Sequence, residues 1–241
     1  MKTIDFNEVA CPVNNVVEFD GVNLPLLEEY DAGMDNVSFT LRRGELAMIL
    51  LEHGAWNHPL ADVVSGLTCP ESGTVRVFGE SWQDHGPDFQ AMARWKIGRV
   101  FEGHGWLSNL DIDENVTLSE RHHTLRDVVD IESEMHDLVK LVGLPEFPHG
   151  RPSVADREAL RRVEWVRAAL GSPWLVILER PGRDLGEGWV KDLAGLVEHV
   201  LGRGAAVIWL VEDPAEIAQV SLSPTLKFIV KENTLARVGN S

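Results

Sequence analysis

Hydrophobic positions recur with two different periods along the chain. In the first third, short apolar runs are separated by glycines or charged residues, and they predict strands over 15–19, 36–41, 46–51 and 73–78. Helical spacing then dominates and predicts helices over 88–95, 115–126, 130–142, 156–170 and 189–201. Between these predicted helices, apolar runs at 97–101, 175–178 and 205–211 predict further strands. Because unbroken apolar strands suit a parallel sheet covered on both faces, the pattern predicts an α/β fold with a parallel central sheet.

The stretch from Gly44 to Leu67 joins a predicted buried strand to an amphipathic run through a short turn. Leu60, Val63, Val64 and Leu67 recur at helical spacing in that run. A strand that leads through a short turn into a helix is where phosphate-binding loops lie. Here the turn is EHGAWNHP, which contains one glycine and no lysine. The pattern therefore predicts the backbone arrangement of a phosphate loop without its usual side chains.

Composition and charge exclude several classes of protein. The chain has 241 residues and 44% hydrophobic content, enough for one large domain. Its net charge of −16 argues against a nucleic-acid partner, since such proteins present excess lysine and arginine. Cys11 and Cys69 are too few and too far apart for a disulfide framework or a thiolate zinc site. No signal peptide or apolar run of about 18 residues is evident, so we expect a cytoplasmic chain, free or docked on a membrane partner.

The order of these elements, together with several segments, resembles an ATP-binding cassette (ABC) ATPase. The segments are GLTCPESGTVRVFG, GRVFEGHGWLSNLDIDENVTL, RPSVADREALRRVEWVRAALGSPWLVILERP and VIWLVEDPAEIA. They are most similar to the ATPase subunits of lipid-retrieval transporters of the Mla type. The resemblance spans about 16–238 and implies a single domain with the ABC-type P-loop fold. It implies an antiparallel β subdomain over about 15–80, a helical subdomain over about 103–156, and the rest of the α/β core over about 157–238.

The phosphate loop departs from the pattern that this resemblance implies. In the family, glycines let backbone amides close on the phosphates, a lysine contacts the β and γ phosphates, and a hydroxyl binds Mg²⁺. Of the three glycines only Gly54 remains, and Trp56 replaces another. Asn57 replaces the lysine, His58 follows where the hydroxyl is expected, and Pro59 removes a helix-start amide.

The other family motifs are altered as well. The Q-loop glutamine aligns with Glu102, the Walker B aspartate with Glu179, the catalytic glutamate with Arg180 and the switch histidine with Glu212. The signature motif aligns with 155–158 and lacks its serine and both glycines. Together these vestigial positions predict a chain that needs no nucleotide cofactor and does not hydrolyse ATP. Since cassette dimers combine one subunit's Walker A loop with the other's signature motif, pairing with an active cassette should cripple both composite sites.

Two functional hypotheses follow from the resemblance. The first is a non-catalytic cassette subunit of a membrane transporter, for lipid or phospholipid, that acts in assembly or regulation. Its partners would be a permease, another cassette subunit, or both, and Trp106 and Leu107 would be apolar anchors for the permease if they are exposed. The alternative for these two residues is ordinary core packing. The second hypothesis is a freestanding scaffold or regulator, and the oligomeric state stays open under both.

A third hypothesis is a remodelled site for a metal or small ligand. His53, His58, Glu102, Glu179 and Glu212 would converge there, and carboxylates with imidazoles suit a divalent transition metal. Against it, Arg180 is placed to pair with a neighbouring carboxylate.

Three further features favour ordinary structural roles. The adjacent His122 and His123 predict a surface pair on a helix. The tryptophans beside core elements predict packing positions; they are Trp165, Trp174, Trp189 and Trp209. The arginines at 157, 161, 162 and 167 predict a solvated or salt-bridged helix face.

Overall fold

The computed structural model describes residues 4–7, 10–52, 54, 57–211 and 213–238. Its strands are β1 (Asn15–Leu24), β2 (Met34–Arg42), β3 (Leu46–Leu50), β4 (Ser72–Val77), β5 (Ile97–Val100), β6 (Leu175–Glu179), β7 (Ala206–Val211), β8 (Leu226–Lys231) and β9 (Thr234–Arg237). Its helices are α1 (Pro59–Val64), α2 (Pro87–Trp95), α3 (Ile112–His123), α4 (Val128–Leu141), α5 (Arg157–Ala169), α6 (Trp189–Gly202) and α7 (Pro214–Gln219). Short 3₁₀ turns cover Trp82–Asp84 and Pro152–Val154.

The described strands form one sheet in the order β4-β1-β2-β9-β8-β3-β7-β6-β5. The strands β8, β3, β7, β6 and β5 pair in parallel. At the other end, β1 pairs antiparallel with β2 and β4. A parallel pairing of Asp35 with Thr234 joins the two parts. The predicted parallel centre and N-terminal antiparallel part are both confirmed.

Apolar side chains fill both faces of the central sheet. Every residue of β6 and β7 is buried, which explains why their sequences lack polar alternation. Trp165, Trp174 and Trp209 are fully buried and Trp189 is 8% exposed, so the packing role predicted for these tryptophans is confirmed.

Helix α1 is shorter than the apolar spacing predicts. It ends at Val64, and Leu67 beyond it is 57% exposed. The chain turns at Gly66, whose φ is +65° and where an added Cβ would lie 2.4 Å from a ring atom of Trp82. A glycine is therefore required at this turn, and it separates Leu67 from the buried face.

Two arginines of the α5 face that was predicted to be solvated or salt-bridged, Arg161 and Arg162, are salt-bridged. Arg161 is 0% exposed and Arg162 9% exposed, so both lie inside the protein instead of in solvent. Arg161 pairs with Glu164 at 2.6 Å, and Arg162 pairs with Asp192 at 2.6 Å. The salt-bridged half of the prediction is confirmed, because burial of these guanidinium groups requires such partners.

The contact between α5 and β5 fixes the position of the strand that carries Arg99. A Cβ added at Gly98 would lie 1.8 Å from the carbonyl oxygen of Ala168, so the helix backbone approaches the strand directly.

The helices α3 and α4 lie within the predicted helical subdomain. In the part of the chain that the structure describes, no helix is long and apolar enough to cross a membrane.

Candidate functional site

Three elements meet beside the carboxyl ends of β5 and β6. Glu179 is the last residue of β6, Arg99 lies on the neighbouring strand β5, and Asp62 lies on α1. The carboxyl ends of adjacent parallel strands lie at the same edge of a sheet, which is where α/β proteins place their ligands. The candidate site therefore lies at this edge of the sheet.

Arg99 binds two carboxylates at once. Its Nε lies 2.5 Å from Glu179 Oε1 and its second terminal nitrogen 3.0 Å from Glu179 Oε2. Its remaining nitrogen lies 2.6 Å from Asp62 Oδ1. The hydroxyl of Tyr30 donates to Asp62 Oδ2 at 2.8 Å. We call these four residues the Arg99 network. The side chains of Arg99 and Glu179 are 9% and 8% exposed and largely shielded from solvent, whereas that of Asp62 is 24% exposed.

Burial and pairing act on this network in opposite directions. Burial raises the pKa of the Glu179 carboxyl, and the hydrogen bonds from Arg99 oppose that shift. Burial alone would lower the pKa of Arg99, but its bonds to Glu179 and the charge of Asp62 outweigh burial and raise that pKa. Arg99 is therefore charged at neutral pH and supplies the counter-charge that a buried carboxylate needs.

A second cluster surrounds Glu102, just beyond β5. Arg180 and Arg183 both reach its Oε1, at 2.8 and 2.7 Å. Arg183 also donates to the Glu102 carbonyl at 2.9 Å. Arg180 has a φ of +43°, a left-handed conformation that is unfavourable for a long side chain. The sequence-based expectation that Arg180 pairs with a neighbouring carboxylate is confirmed.

The segment after Glu102 is held by arginines of α5. Arg161 donates to the Phe101 carbonyl at 2.9 Å, and Arg167 donates to the Gly105 carbonyl at 2.6 Å. The guanidinium of Arg167 also lies 4.8 Å from the ring centre of Trp106. These contacts fix the backbone that leads to Leu107.

The two predicted partner anchors differ in exposure. Trp106 is partly buried against the core, whereas Leu107 is 48% exposed. Asn115 on α3 holds the Leu107 backbone, accepting from its N–H at 2.8 Å and donating to its carbonyl at 3.1 Å. Of the two predicted permease anchors, Leu107 is therefore exposed as the prediction requires, whereas Trp106 packs against Arg167.

The loop between β3 and α1 contacts the segment that follows β1. Gly54 is exposed and has a φ of +91°. The side-chain amide nitrogen of Asn57 donates to the Glu29 carbonyl at 2.5 Å. The backbone N–H of Asn57 donates to Asp31 Oδ2 at 2.7 Å. Both groups face the segment after β1. Trp56 lies outside the described residues.

His58 is buried at the start of α1. It is 2% exposed, and its Nδ1 accepts from the Leu60 N–H at 3.2 Å, which caps the helix. Its Nε2 has no hydrogen-bond partner in the described part of the chain. Burial lowers the pKa of His58 to about 4, so the ring is neutral at physiological pH.

The proposed metal ligands do not gather in the described structure. Within residues 4–7, 10–52, 54, 57–211 and 213–238, no group of three or more His, Cys, Asp and Glu side chains is arranged to hold a metal ion. Glu102 and Glu179 are bound by different arginines, and His58 caps α1. His53 and Glu212 lie outside the described residues.

Sequence analysis missed Asp62 and Arg99. A usable signal was present: Arg99 is a charged residue inside a short apolar strand, between Gly98 and Val100. Such a residue needs a buried partner. The pattern does not say which carboxylate supplies it.

The family model described as ABC transporter matches residues 34–181, which is more than half of the chain. The chain belongs to the ABC transporter family. The match includes α1, β5, β6 and three of the four residues of the Arg99 network, so most of the candidate site lies within the matched residues.

Curated relatives of this cassette are only distantly similar in sequence. The ribose import ATP-binding protein RbsA 1 of Streptomyces avermitilis is 28% identical over 188 residues, covering 77% of this chain and 35% of the relative. The spermidine/putrescine import ATP-binding protein PotA of Nitratidesulfovibrio vulgaris is 22% identical, covering 86% of this chain and 55% of the relative. The cassette thus spans about a third to a half of these relatives.

Solved structures show the same fold. An ATP-binding subunit of an ABC transporter superposes with a TM-score of 0.76 at 18% identity, covering 92% of this chain and 89% of the other. The dimeric bacterial ABC transporter cassette MJ0796 superposes with a TM-score of 0.78 at 18% identity, covering 92% and 97%. The predicted cassette fold is therefore confirmed.

Proposed function

We propose that this cassette is a subunit of an ABC transporter that does not hydrolyse ATP and that serves assembly or regulation. The observation that carries the proposal is the pairing of Glu179 with Arg99 and of Glu102 with Arg180. These three motif positions are engaged with protein groups at the edge of the sheet where a magnesium nucleotide would bind.

The chemistry of these side chains supports the proposal. Mg²⁺ binds through carboxylate oxygens and keeps several of its own waters, but both oxygens of Glu179 accept from Arg99. A general base must accept a proton from water, and arginine has no acceptor and stays protonated. Arg180 therefore cannot take the role of the catalytic glutamate with which it aligns.

The described loop residues also do not fit a magnesium nucleotide. Asn57 carries no charge for the phosphates, and its amide is bonded to Glu29. Helix α1 is only six residues long, Pro59 lacks an N–H, and the Leu60 N–H is taken by His58. These residues therefore do not fit a magnesium nucleotide.

The aligned signature motif supports a loss of function in a dimer as well. Asp156 accepts from the Ala159 N–H at 3.0 Å and caps α5, an ordinary helix start. Its carboxylate would repel a phosphate presented by a second cassette. We expect that this chain does not complete the nucleotide site of a partner.

An apolar groove beside Leu107 supports docking on a permease. The groove has a volume of about 540 Å³ and is lined by Phe101, Gly105, Leu107, Leu118 and Arg167, among others. Leu107 and Leu118 are 48% and 44% exposed. Exposed apolar side chains around a rigid backbone are typical of protein interfaces. We therefore propose a permease segment as its occupant, which would place the cassette at the inner face of the membrane.

The cargo and the oligomeric state are separate proposals. The resemblance to Mla-type subunits predicts lipid or phospholipid, whereas the relatives' names refer to ribose and to spermidine or putrescine. Mass spectrometry of lipids and small solutes that co-purify with the permease complex tests the lipid assignment. The dimeric neighbour motivates a second cassette subunit as a partner, which native mass spectrometry of the same complex tests.

A nucleotide titration tests the loss of ATP chemistry. The purified chain is titrated with Mg-ATP and a non-hydrolysable analogue while its melting temperature and phosphate release are measured, with an active cassette as positive control. A micromolar site would add about 4 kcal/mol at millimolar ligand. We expect no shift and no phosphate release above the no-enzyme background; either signal, if it saturates, refutes the proposal.

Co-purification separates the transporter subunit from the alternative of a freestanding scaffold. We expect a permease in the pull-down with the unchanged chain and its loss with Leu107→Asp. The matched control is Leu26→Asp, at a residue that is 62% exposed and does not line the groove. Recovery of soluble partners only, unaffected by Leu107→Asp, favours the scaffold.

A further inference from the structure

The apolar groove beside Leu107 contains one charged side chain. The groove has a volume of about 540 Å³, and its apolar lining includes Phe101, Leu107 and Leu118. Among the lining residues that the structure describes, Arg167 is the only lysine, arginine, aspartate or glutamate. Apolar cavities of this size with a few polar groups are typical of small-molecule sites. The position of the charge therefore indicates what kind of molecule the groove can bind.

The guanidinium of Arg167 is only partly satisfied within the protein. One terminal nitrogen donates to the Gly105 carbonyl at 2.6 Å. The other, Nη2, is buried and has no hydrogen-bond partner in the described part of the chain. The carboxylate of Glu164 acts on Arg167 through space, but it is bonded to Arg161 and His104 instead. Arg167 thus keeps a donor for which the described residues supply no acceptor.

Burial lowers the pKa of the Arg167 guanidinium, because it disfavours the charged form and no bonded carboxylate offsets it. Burial acts in the same direction on Arg99, but there the bonds to Glu179 outweigh it and the pKa is raised. Arginine stays protonated in proteins, so Arg167 is charged. A shielded cation of this kind is stabilised by a negatively charged partner.

Gly105 leaves space beside the unpaired nitrogen. A Cβ added at this glycine would lie 3.3 Å from Arg167 Nη2 and 2.8 Å from a ring atom of Phe101. Phe101, Ser119 and Arg167 also line a second cavity of about 190 Å³, so both cavities border the guanidinium. This smaller cavity is too small for a folded protein segment. A slender molecule with a small charged end therefore suits the place better than a helix does.

We propose that the groove binds an apolar monocarboxylate, a small molecule whose carboxylate accepts from Arg167 Nη2 while its hydrocarbon part lies against Leu107 and Leu118. A carboxylate matches the planar guanidinium, and their charge-assisted bond is strengthened where solvent is excluded. Because Nη2 is shielded, the end of the Arg167 side chain turns toward the groove when the ligand binds. The ligand and a docked permease segment use the same groove, so the ligand displaces the permease; only this displacement rests on the proposed function.

Calorimetric titration of the purified full chain with octanoate, kept below its micelle concentration, tests the site directly. We expect one saturable site per chain. Octanamide has a similar shape but no charge, so it should bind at least about tenfold more weakly. Equal binding of the two ligands overturns the inference, as does octanoate binding that does not saturate or is absent.

Variants assign the carboxylate to Arg167. Arg167→Met should weaken octanoate binding at least about tenfold, and Arg167→Lys should restore part of it by keeping the charge. Gly105→Ala keeps the guanidinium but fills the space beside Nη2, so it should also weaken binding. Undiminished binding in both Arg167→Met and Gly105→Ala overturns the inference. If Arg167→Met does not fold, Gly105→Ala and the comparison of octanoate with octanamide decide.

Arg94→Gln is the matched control for the arginine variants. Arg94 also donates to backbone carbonyls, those of Ser65 and Gly66, but it does not line the groove. This variant should bind octanoate as the unchanged chain does. A loss of binding equal to that of Arg167→Met would show a general effect of removing a guanidinium and would overturn the assignment.

The permease pull-down separates this inference from the proposed function. We expect saturating octanoate to reduce permease recovery with the unchanged chain several-fold and octanamide to leave it unchanged. Undiminished recovery in octanoate refutes the displacement. If no permease is recovered under any condition, the proposed function fails, whereas the calorimetric result stands. If octanoate does not bind and Arg167→Met still loses the permease, the carboxylate belongs to the permease and the small-ligand inference is overturned.

Discussion

His58 should make the cassette sensitive to mild acid. Burial lowers the pKa of this histidine from 6.5 to about 4, while the unfolded chain keeps the ordinary value. The unfolded state therefore binds a proton at a higher pH than the folded state does. Stability that is fully present above pH 6.5 should fall as the pH decreases toward 4.

The size of the effect follows from the same two pKa values. The full shift corresponds to about 3 kcal/mol, and the part lost between pH 7 and pH 5 is about 2 kcal/mol. Little of this is screened by solvent, since His58 is 2% exposed. Protonation would also remove the Nδ1 acceptor that binds the Leu60 N–H, so the cap of α1 is lost with the neutral ring.

Urea unfolding of the full chain at about pH 7, 6 and 5 measures this loss. His58→Asn keeps a side-chain acceptor for the helix start but does not titrate, so its loss between pH 7 and pH 5 should be smaller by about 2 kcal/mol. His122→Asn, at an exposed histidine, is the matched control and should keep the behaviour of the unchanged chain. If His58→Asn loses as much stability as the unchanged chain over this range, the reasoning is refuted.

Other substitutions test the packing that positions the site, each by urea unfolding. Gly98→Ala should lose about 2 kcal/mol or more, because its Cβ would lie 1.8 Å from the carbonyl oxygen of Ala168; an unchanged midpoint contradicts that contact. Arg161→Met alone should lose about 3–5 kcal/mol by leaving the buried Glu164 with only the His104 ring beside it, and Arg161→Met/Glu164→Leu should recover part of it. If the double variant is less stable than the single one, the loss comes from packing and not from charge. Asp156→Ala should lose about 1 kcal/mol through the cap of α5, whereas Asp156→Asn should lose little.

Sequence patterns predicted the central elements well because burial leaves a clear signature. The apolar runs at 175–178 and 205–211 correspond to β6 and β7, whose residues are all buried. The last part of the chain gave weaker signals: α7 has six residues and β9 has four, too few to show a period. Its short length explains why β9 is not predicted. The pattern also does not predict β8, which pairs with the central strand β3, although β8 is as long as β7.

The candidate site was predicted only where side chains replace family motifs. Glu102, Glu179 and Arg180 were identified from their aligned positions, and the pairing of Arg180 with a carboxylate followed from its charge. The partner of Glu179 was not identified, because Arg99 is 80 positions away along the chain. Nothing local in a sequence specifies such a pairing; only the parallel register of β5 and β6 brings the two residues together.

Arginine side chains that take the place of a bound cation explain how the chain can keep the cassette fold while lacking ATP hydrolysis, as we propose. A carboxylate at a buried sheet edge requires a counter-charge, and either a bound cation or an arginine can supply it. A bound cation comes and goes with its ligand, but an arginine is always present. With Arg99 beside Glu179 and Arg180 beside Glu102, the protein itself supplies the counter-charge at this corner. Since Arg161 and Arg167 hold the segment that leads from Glu102 to Leu107, the apolar groove should be presented in one arrangement regardless of nucleotide. It follows that a permease should bind this cassette equally well with and without Mg-ATP, a property suited to assembly and not to a transport cycle.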